Sequence, residues 1–185
     1  MNKVLVISSS LRKACRYVDP FVNKLEVFLN KKCQVDVRSA YGLDIRIIND
    51  YDTIVFAFIN ASNLIPSSTL ELFDDISKFT NHSQNIYTLI CNDEYEIDRC
   101  DYSERVVEIF CDQYNLNYKG SLKIGSCFII NRMQYGLVLT GHIKRFATAI
   151  IENKEVDIHY TYTSKKQFMK DANRYWHKLI SKGDA

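Results

Sequence analysis

The chain has 185 residues, a formal net charge of +2 and a pI near 8.1, too mild a balance for a nucleic-acid binder, and no lysine-arginine stripe interleaves with its aromatics. Hydrophobic residues make up 46% and charged residues 25%, which excludes a disordered or fibrous chain, and the length suits a single domain over 1–185. No apolar stretch approaches a membrane span and the N-terminus lacks a signal-peptide pattern, so a cytoplasmic setting without membrane is expected.

The six cysteines then read as reduced thiols; none forms a C-x-x-C pair, and His82, His142, His159 and His177 are scattered, so no metal is expected. Lys3 to Ile7 is the first strand. Asp19-Pro20 has the form of a cap followed by proline in the first helical turn, opening a helix to about Lys31. Gln34 to Arg38 alternates as a second strand, and Thr53 to Ile59 (TIVFAFI), the most apolar run, belongs in mid-sheet.

Pro66 opens a second helix with Leu70, Leu72, Phe73 and Ile76 as its apolar positions, and Asn85 to Cys91 is a fourth strand. A third helix places Val106, Val107, Ile109, Phe110 and Tyr114 on its apolar side. Asn117 to Ile124 is a fifth strand interrupted by Gly120. A helix from about Leu137 to Ile151 completes a core of about 1–152. The segment 153–183 opens on VDIHYTYT, which alternates like a short strand or an extended arm, and continues as a helix with Ser164 and Gln167 as a capping box before Phe168, Ala172, Trp176 and Leu179.

Strands alternating with helices imply right-handed parallel crossovers and a three-layer α/β sandwich. Five strands at these spacings suit the flavodoxin-like order 2-1-3-4-5, with an added C-terminal helix and a ligand crevice at the carboxyl ends of strands 1 and 3. There the first strand runs into Ser8, Ser9, Ser10, Arg12 and Lys13, a cluster of hydroxyls and positive charge suited to an anion, most often a phosphate. Other phosphate chemistries do not match. The chain has no G-x-x-x-x-G-K-[ST], no G-x-G-x-x-G, and no acidic pair ending the first strand. Cys91 is followed by Asn92, Asp93, Glu94 and Glu96, which oppose a phosphatase thiolate.

Two stretches carry a resemblance. SSLRKACRY, Ser9 to Tyr17, is similar to G-S-x-R-x-x-S-x-N; INASNLIP, Ile59 to Pro66, is similar to P-x-Y-N-G-x-x-P, with Leu72, Phe73 and Asp74 at the matching spacing. Together with DTIVFAF before the second stretch, they resemble the flavodoxin-like NAD(P)H-dependent FMN reductase and quinone reductase family, from about Lys3 to Ile124. The resemblance implies an FMN whose phosphate lies in the first loop, with Ser8, Ser10, Arg12, Lys13, Cys15 and Tyr17 as cofactor-binding positions. It implies a flavin ring across the later loops, with Asn60, Ala61, Ser62 and Asn63 flanking it and Asn92 and Asp93 at its far edge. NAD(P)H would be the co-substrate and a flavin, quinone or similar small molecule the electron acceptor. No catalytic side chain is named, because the flavin carries the chemistry.

The sequence departs from the family pattern at Ser9, Cys15, Tyr17, Ile59 and Ala61, and Ser62-Asn63 replaces Asn-Gly. Each lost hydrogen bond to a charged phosphate costs about 1.5–3 kcal/mol. An FMN-dependent oxidoreductase and a non-catalytic binding or regulatory protein on the same scaffold therefore both stand. Cys15 also reads as a packing residue and Asn92-Asp93-Glu94 as a turn. Tyr175 and Trp176 read as packing residues against the sheet or a partner subunit, and dimers are usual in the family.

Overall fold

The structure, a computed structural model, describes residues 2–9, 18–60, 64–78, 83–127, 130, 136–161 and 164–181. Strand β1 (Lys3–Ser9) leads to helix α1 (Asp19–Leu29), β2 (Gln34–Ser39), a 3-10 turn at Ile45–Asp50 and β3 (Thr53–Asn60). Then come α2 (Ser67–Ser77), β4 (Asn85–Asn92), a short 3-10 turn at Ile97–Arg99, α3 (Cys100–Gln113) and β5 (Asn117–Ile124). Helix α4 (Gly136–Ile151), β6 (Val156–Tyr160) and α5 (Lys165–Ser181) complete the chain.

The strands form one parallel sheet in the order β2-β1-β3-β4-β5-β6. The expected order is therefore present, but the sheet has 6 strands where five were expected. The C-terminal arm is the difference. Val156–Tyr160 pairs with Gly120–Ile124 as an edge strand, and its half-exposed alternation hides it among loop patterns. Gly120 makes this pairing possible: its φ is +114°, and a Cβ there would lie 1.8 Å from the Val156 carbonyl oxygen. The β4–β5 register shifts beside it, at Ile86/Tyr87, so the interrupting glycine marks a bulge within the strand.

All eight residues of β3 are buried, as a mid-sheet parallel strand covered on both faces requires. Val55, Ala57 and Ile59 face the layer of α1 and α4, with Phe21, Leu25, Ile143 and Phe146. Ile54, Phe56 and Phe58 face the layer of α2 and α3, with Leu72, Phe73, Ile76 and Phe110. Each of the larger side chains contributes about 1.5–3 kcal/mol on leaving water, and Ala57 less. Among the described residues no helix is long and apolar enough to cross a membrane.

Three local expectations are corrected. Helix α3 buries Cys100, Ser103, Val107, Phe110 and Cys111, whereas Val106 and Ile109 are exposed, as is Leu70 on α2. Val18, not Asp19, is the N-cap residue of α1; Asp19 lies in the first turn. The capping box is half-formed: Ser164 Oγ accepts from Gln167 N at 3.2 Å, but the Gln167 side chain donates to Asp171 Oδ2 at 2.7 Å. Trp176 faces solvent.

One buried charge fastens α3 to the sheet. Lys123, 3% exposed, projects from β5 toward α3 and pairs with Asp101 at 2.6 Å and Glu104 at 2.5 Å. Tyr118 donates to the same Glu104 at 2.7 Å and shares a 3.0 Å hydrogen bond with Thr88.

Candidate functional site

Because every strand is parallel, all carboxyl ends lie at one edge of the sheet. The chain leaves β1 toward β2 on one side and reaches β3 on the other, so the order reverses between β1 and β3, where ligands bind in sheets of this kind. The described residues at this edge are supplied by the ends of β1, β3, β4 and β5 and the turns behind them.

Ser8, Asn60, Asn92 and Asp93 are the predicted contacts that the structure places, and all four stand at this edge. Ser10, Arg12, Lys13, Cys15, Tyr17, Ala61, Ser62 and Asn63 lie outside the described residues. Ser8 Oγ donates to Asp19 Oδ1 over a long 3.5 Å, joining the end of β1 to the first turn of α1. Ser9, beside it, is buried.

Asn60 and Asn92 are register partners at the ends of β3 and β4. Both are 2% exposed, and both spend their amides on the protein. Asn60 Nδ2 donates to the Arg99 carbonyl at 3.2 Å, and its Oδ1 accepts from Ser103 Oγ at 2.6 Å. Asn92 Nδ2 donates to the Glu96 carbonyl at 3.0 Å, and its Oδ1 accepts from Glu94 N at 3.3 Å. They hold the turn after β4 in place.

The run Asp93-Glu94-Tyr95-Glu96 looks in sequence like a loop that repels anions. Its carboxylates are in fact answered one by one. Glu94 pairs with Arg99 at 2.6 Å and Glu96 with Lys165 at 2.9 Å; the Lys165 ammonium holds the Glu96 carboxyl below the usual range. Asp93 accepts from Cys127 Sγ at 3.0 Å, and burial pushes its carboxyl up, which favours the neutral form. The Cys127 thiol is itself raised by its hydrogen bond with Cys91 and by burial, so it stays protonated near neutral pH and is no nucleophile.

Residues that the sequence reading passed over stitch this edge together. Ser126 N donates to the Glu94 carbonyl at 2.8 Å, and Gly125 N to the Tyr160 carbonyl at 2.8 Å. Thr161 Oγ1 donates to the Tyr95 carbonyl at 3.1 Å, and Tyr95 meets the Phe168 ring. Gly125 has no room for a side chain, since a Cβ would lie 2.8 Å from Thr161 Oγ1. The turns after β4, β5 and β6 thus form one ledge. Ser126 has φ +55°, and its buried Oγ has no hydrogen-bond partner among the described residues. A glycine directly behind a strand was the available signal. Nothing in the sequence marked Ser126.

No protein-family model matches the chain, and no curated protein matches it in sequence. Solved structures do. Flavodoxin 2 from Bacillus cereus superposes with a TM-score of 0.66 at 14% identity, over 82% of this chain and 99% of that one. A Fusobacterium nucleatum flavodoxin bound to flavin mononucleotide gives 0.64 at 8% identity, over 83% and 99%. The general stress protein 14 of Treponema denticola, in complex with FMN, gives 0.56 at 10% identity, over 83% and 99%. The chain has the flavodoxin-like fold.

Proposed function

We propose that this protein binds FMN at the carboxyl edge of its sheet and passes electrons from NAD(P)H to a small-molecule acceptor, a flavin or quinone in class. The observation that carries this is the switch point itself. The hydroxyl-bearing end of β1, Ser8 and Ser9, stands there on the same edge as a ledge whose carboxylates have partners, and in the sequence Arg12 and Lys13 follow it. A dianionic cofactor is repelled less by a ledge whose carboxylates are paired or hydrogen-bonded than by bare ones. Solved neighbours that carry FMN on the same fold support the choice of ligand.

In this reading Ser10, Arg12 and Lys13 hold the phosphate, and the turns after β3 and β4 flank the ring. Asn60 and Asn92 keep those turns in register. FMN, when bound, supplies the hydride and electron chemistry, and the chain's residues bind, orient and shield it. Phosphate-loop positions that have lost donors make the site weaker than a dedicated flavodoxin's, by about 1.5–3 kcal/mol for each lost hydrogen bond.

The test is reconstitution. Purified protein mixed with FMN and desalted is expected to retain the flavin absorption band and to oxidise NADH or NADPH only when flavin is present. A chain that takes up no FMN in direct titration ends this reading. The second reading, a non-catalytic binding protein on the same scaffold, is favoured by the consumed amides of Asn60 and Asn92. In it the cofactor site has decayed, and it prevails if direct titration shows no FMN uptake, or if FMN binds while NAD(P)H oxidation stays at the level of FMN alone.

A further inference from the structure

Two surface patches on different elements expose apolar side chains and carry opposite charge. Of the large apolar side chains that the described residues expose, five (Leu64, Leu70, Tyr102, Val106 and Ile109) gather on α2, α3 and the residue stretch before α2. Most of them line one groove. Three more, Met169, Trp176 and Ile180, fall on α5. Their spacing, i, i+7 and i+11, places them on one stripe of that helix. Phe168 and Ala172, on another side of α5, pack against the sheet's core, so the stripe faces away from the body of the protein. Monomeric proteins seldom gather exposed apolar side chains this way without a partner.

The charges select the partner. Helix α5 carries Lys165, Lys166, Lys170, Arg174 and Lys178 against Asp171 alone. Lys166, Lys170, Arg174 and Lys178 run at i, i+4, i+8 and i+12, a basic stripe beside the apolar one. The elements that frame the groove are acidic: α2 has Glu71, Asp74 and Asp75 with no base, and α3 has four acids against Arg105, of which Asp101 and Glu104 turn to Lys123 and Glu108 pairs with Arg105. Lys78 answers Asp74 and Asp75, while Glu71, next to the groove-lining Leu70, and Asp112 are exposed.

We infer that the occupant of the α2–α3 groove is the α5 helix of a second copy of this chain. An amphipathic helix in an apolar groove is an established mode of recognition, and here one chain carries both halves. Such a contact is head-to-tail, because the helix and the groove are different surfaces. It therefore builds rings or open chains and does not stop at a two-fold dimer.

The test is sedimentation velocity on the full chain. Wild type is expected to associate with rising concentration into species beyond a dimer, and to dissociate at high salt. Trp176→Glu removes the helix stripe and Tyr102→Glu the groove; Trp176 is 56% and Tyr102 71% exposed, so both variants keep the fold, which circular dichroism melts check. Each variant alone should be monomeric. Mixed in equal amounts they should form a one-to-one pair, since one keeps an intact groove and the other an intact helix. A wild type that is monomeric throughout overturns the inference. So does self-association that survives either substitution, or a mixture that stays monomeric. A monomer that instead binds vesicles containing phosphatidylserine assigns the α5 stripe to membrane surfaces and also overturns it.

Discussion

Helix α3 is fastened to the sheet at two places that use opposite chemistry. Near its start the clamp is neutral: Asn60 bonds the Arg99 carbonyl and Ser103 Oγ. Toward β5 the clamp is charged: buried Lys123 holds Asp101 and Glu104, with Tyr118 donating to Glu104. A buried amide carries no net charge and needs only its hydrogen bonds satisfied, whereas a buried ammonium must also be matched by opposite charge. Both clamps grip the first turns of α3 near the carboxyl edge of the sheet, Asn60 from the last residue of β3 and Lys123 from the penultimate residue of β5.

The difference can be broken first at its charged end. Lys123→Met leaves Glu104 and Asp101 without their cation and is expected to cost about 3–5 kcal/mol in urea unfolding. The double variant with Glu104→Leu should recover much of that loss, because a removed pair costs far less than a broken one. Asn60→Ala is expected to cost about 1–3 kcal/mol, since it leaves Ser103 Oγ and the Arg99 carbonyl without the amide.

Titration sharpens the comparison. Burial lowers the Lys123 ammonium's pKa, but hydrogen bonds to Asp101 and Glu104 outweigh it, so the folded value is raised. Burial and Glu104 raise the Tyr118 phenol as well. Both groups favour their protonated forms in the fold. Their contribution is complete below the unfolded pKa values, about 10 to 10.4, and is lost as pH climbs beyond them. Unfolding free energy should therefore fall above about pH 10, less steeply in Lys123→Met, and with unchanged slope in Asn60→Ala. The smallest effect belongs to Asp93. Burial raises its carboxyl, so its contribution is present below the unfolded pKa and lost as pH rises through the folded value. Asp93→Asn keeps an acceptor for Cys127 and should gain less than about 1 kcal/mol at neutral pH, with no gain in acid.

Much of the fold was legible because parallel central strands announce themselves: VLVI, TIVFAFI and NIYTLIC have no polar face to mislead. The sixth strand was legible only as one alternative, a short strand or an extended arm, because five alternating residues do not tell whether they pair with the sheet. Helix α3 misled for a different reason. It carries two apolar stripes, and only packing decides that Cys100, Val107, Phe110 and Cys111 go inward while Val106 and Ile109 stay out. At the site, the positions of Asn60 and Asn92 were legible but their role was not. Which carbonyl an amide meets depends on turns remote in sequence, here Arg99 and Glu96. The neutralised acids show the same limit, since Lys165 reaches Glu96 from the far end of the chain.

In the proposed reading, ligand contact belongs to the loop after β1 and framework to the ends of β3 and β4. A fluorescence titration of FMN into wild type, Arg12→Ala and Asn92→Asp tests it most directly. The account predicts saturable quenching by wild type, an affinity lower by about tenfold or more in Arg12→Ala, and little change in Asn92→Asp once the folded fraction is matched. Unchanged affinity in Arg12→Ala, together with a large loss in Asn92→Asp, would contradict it.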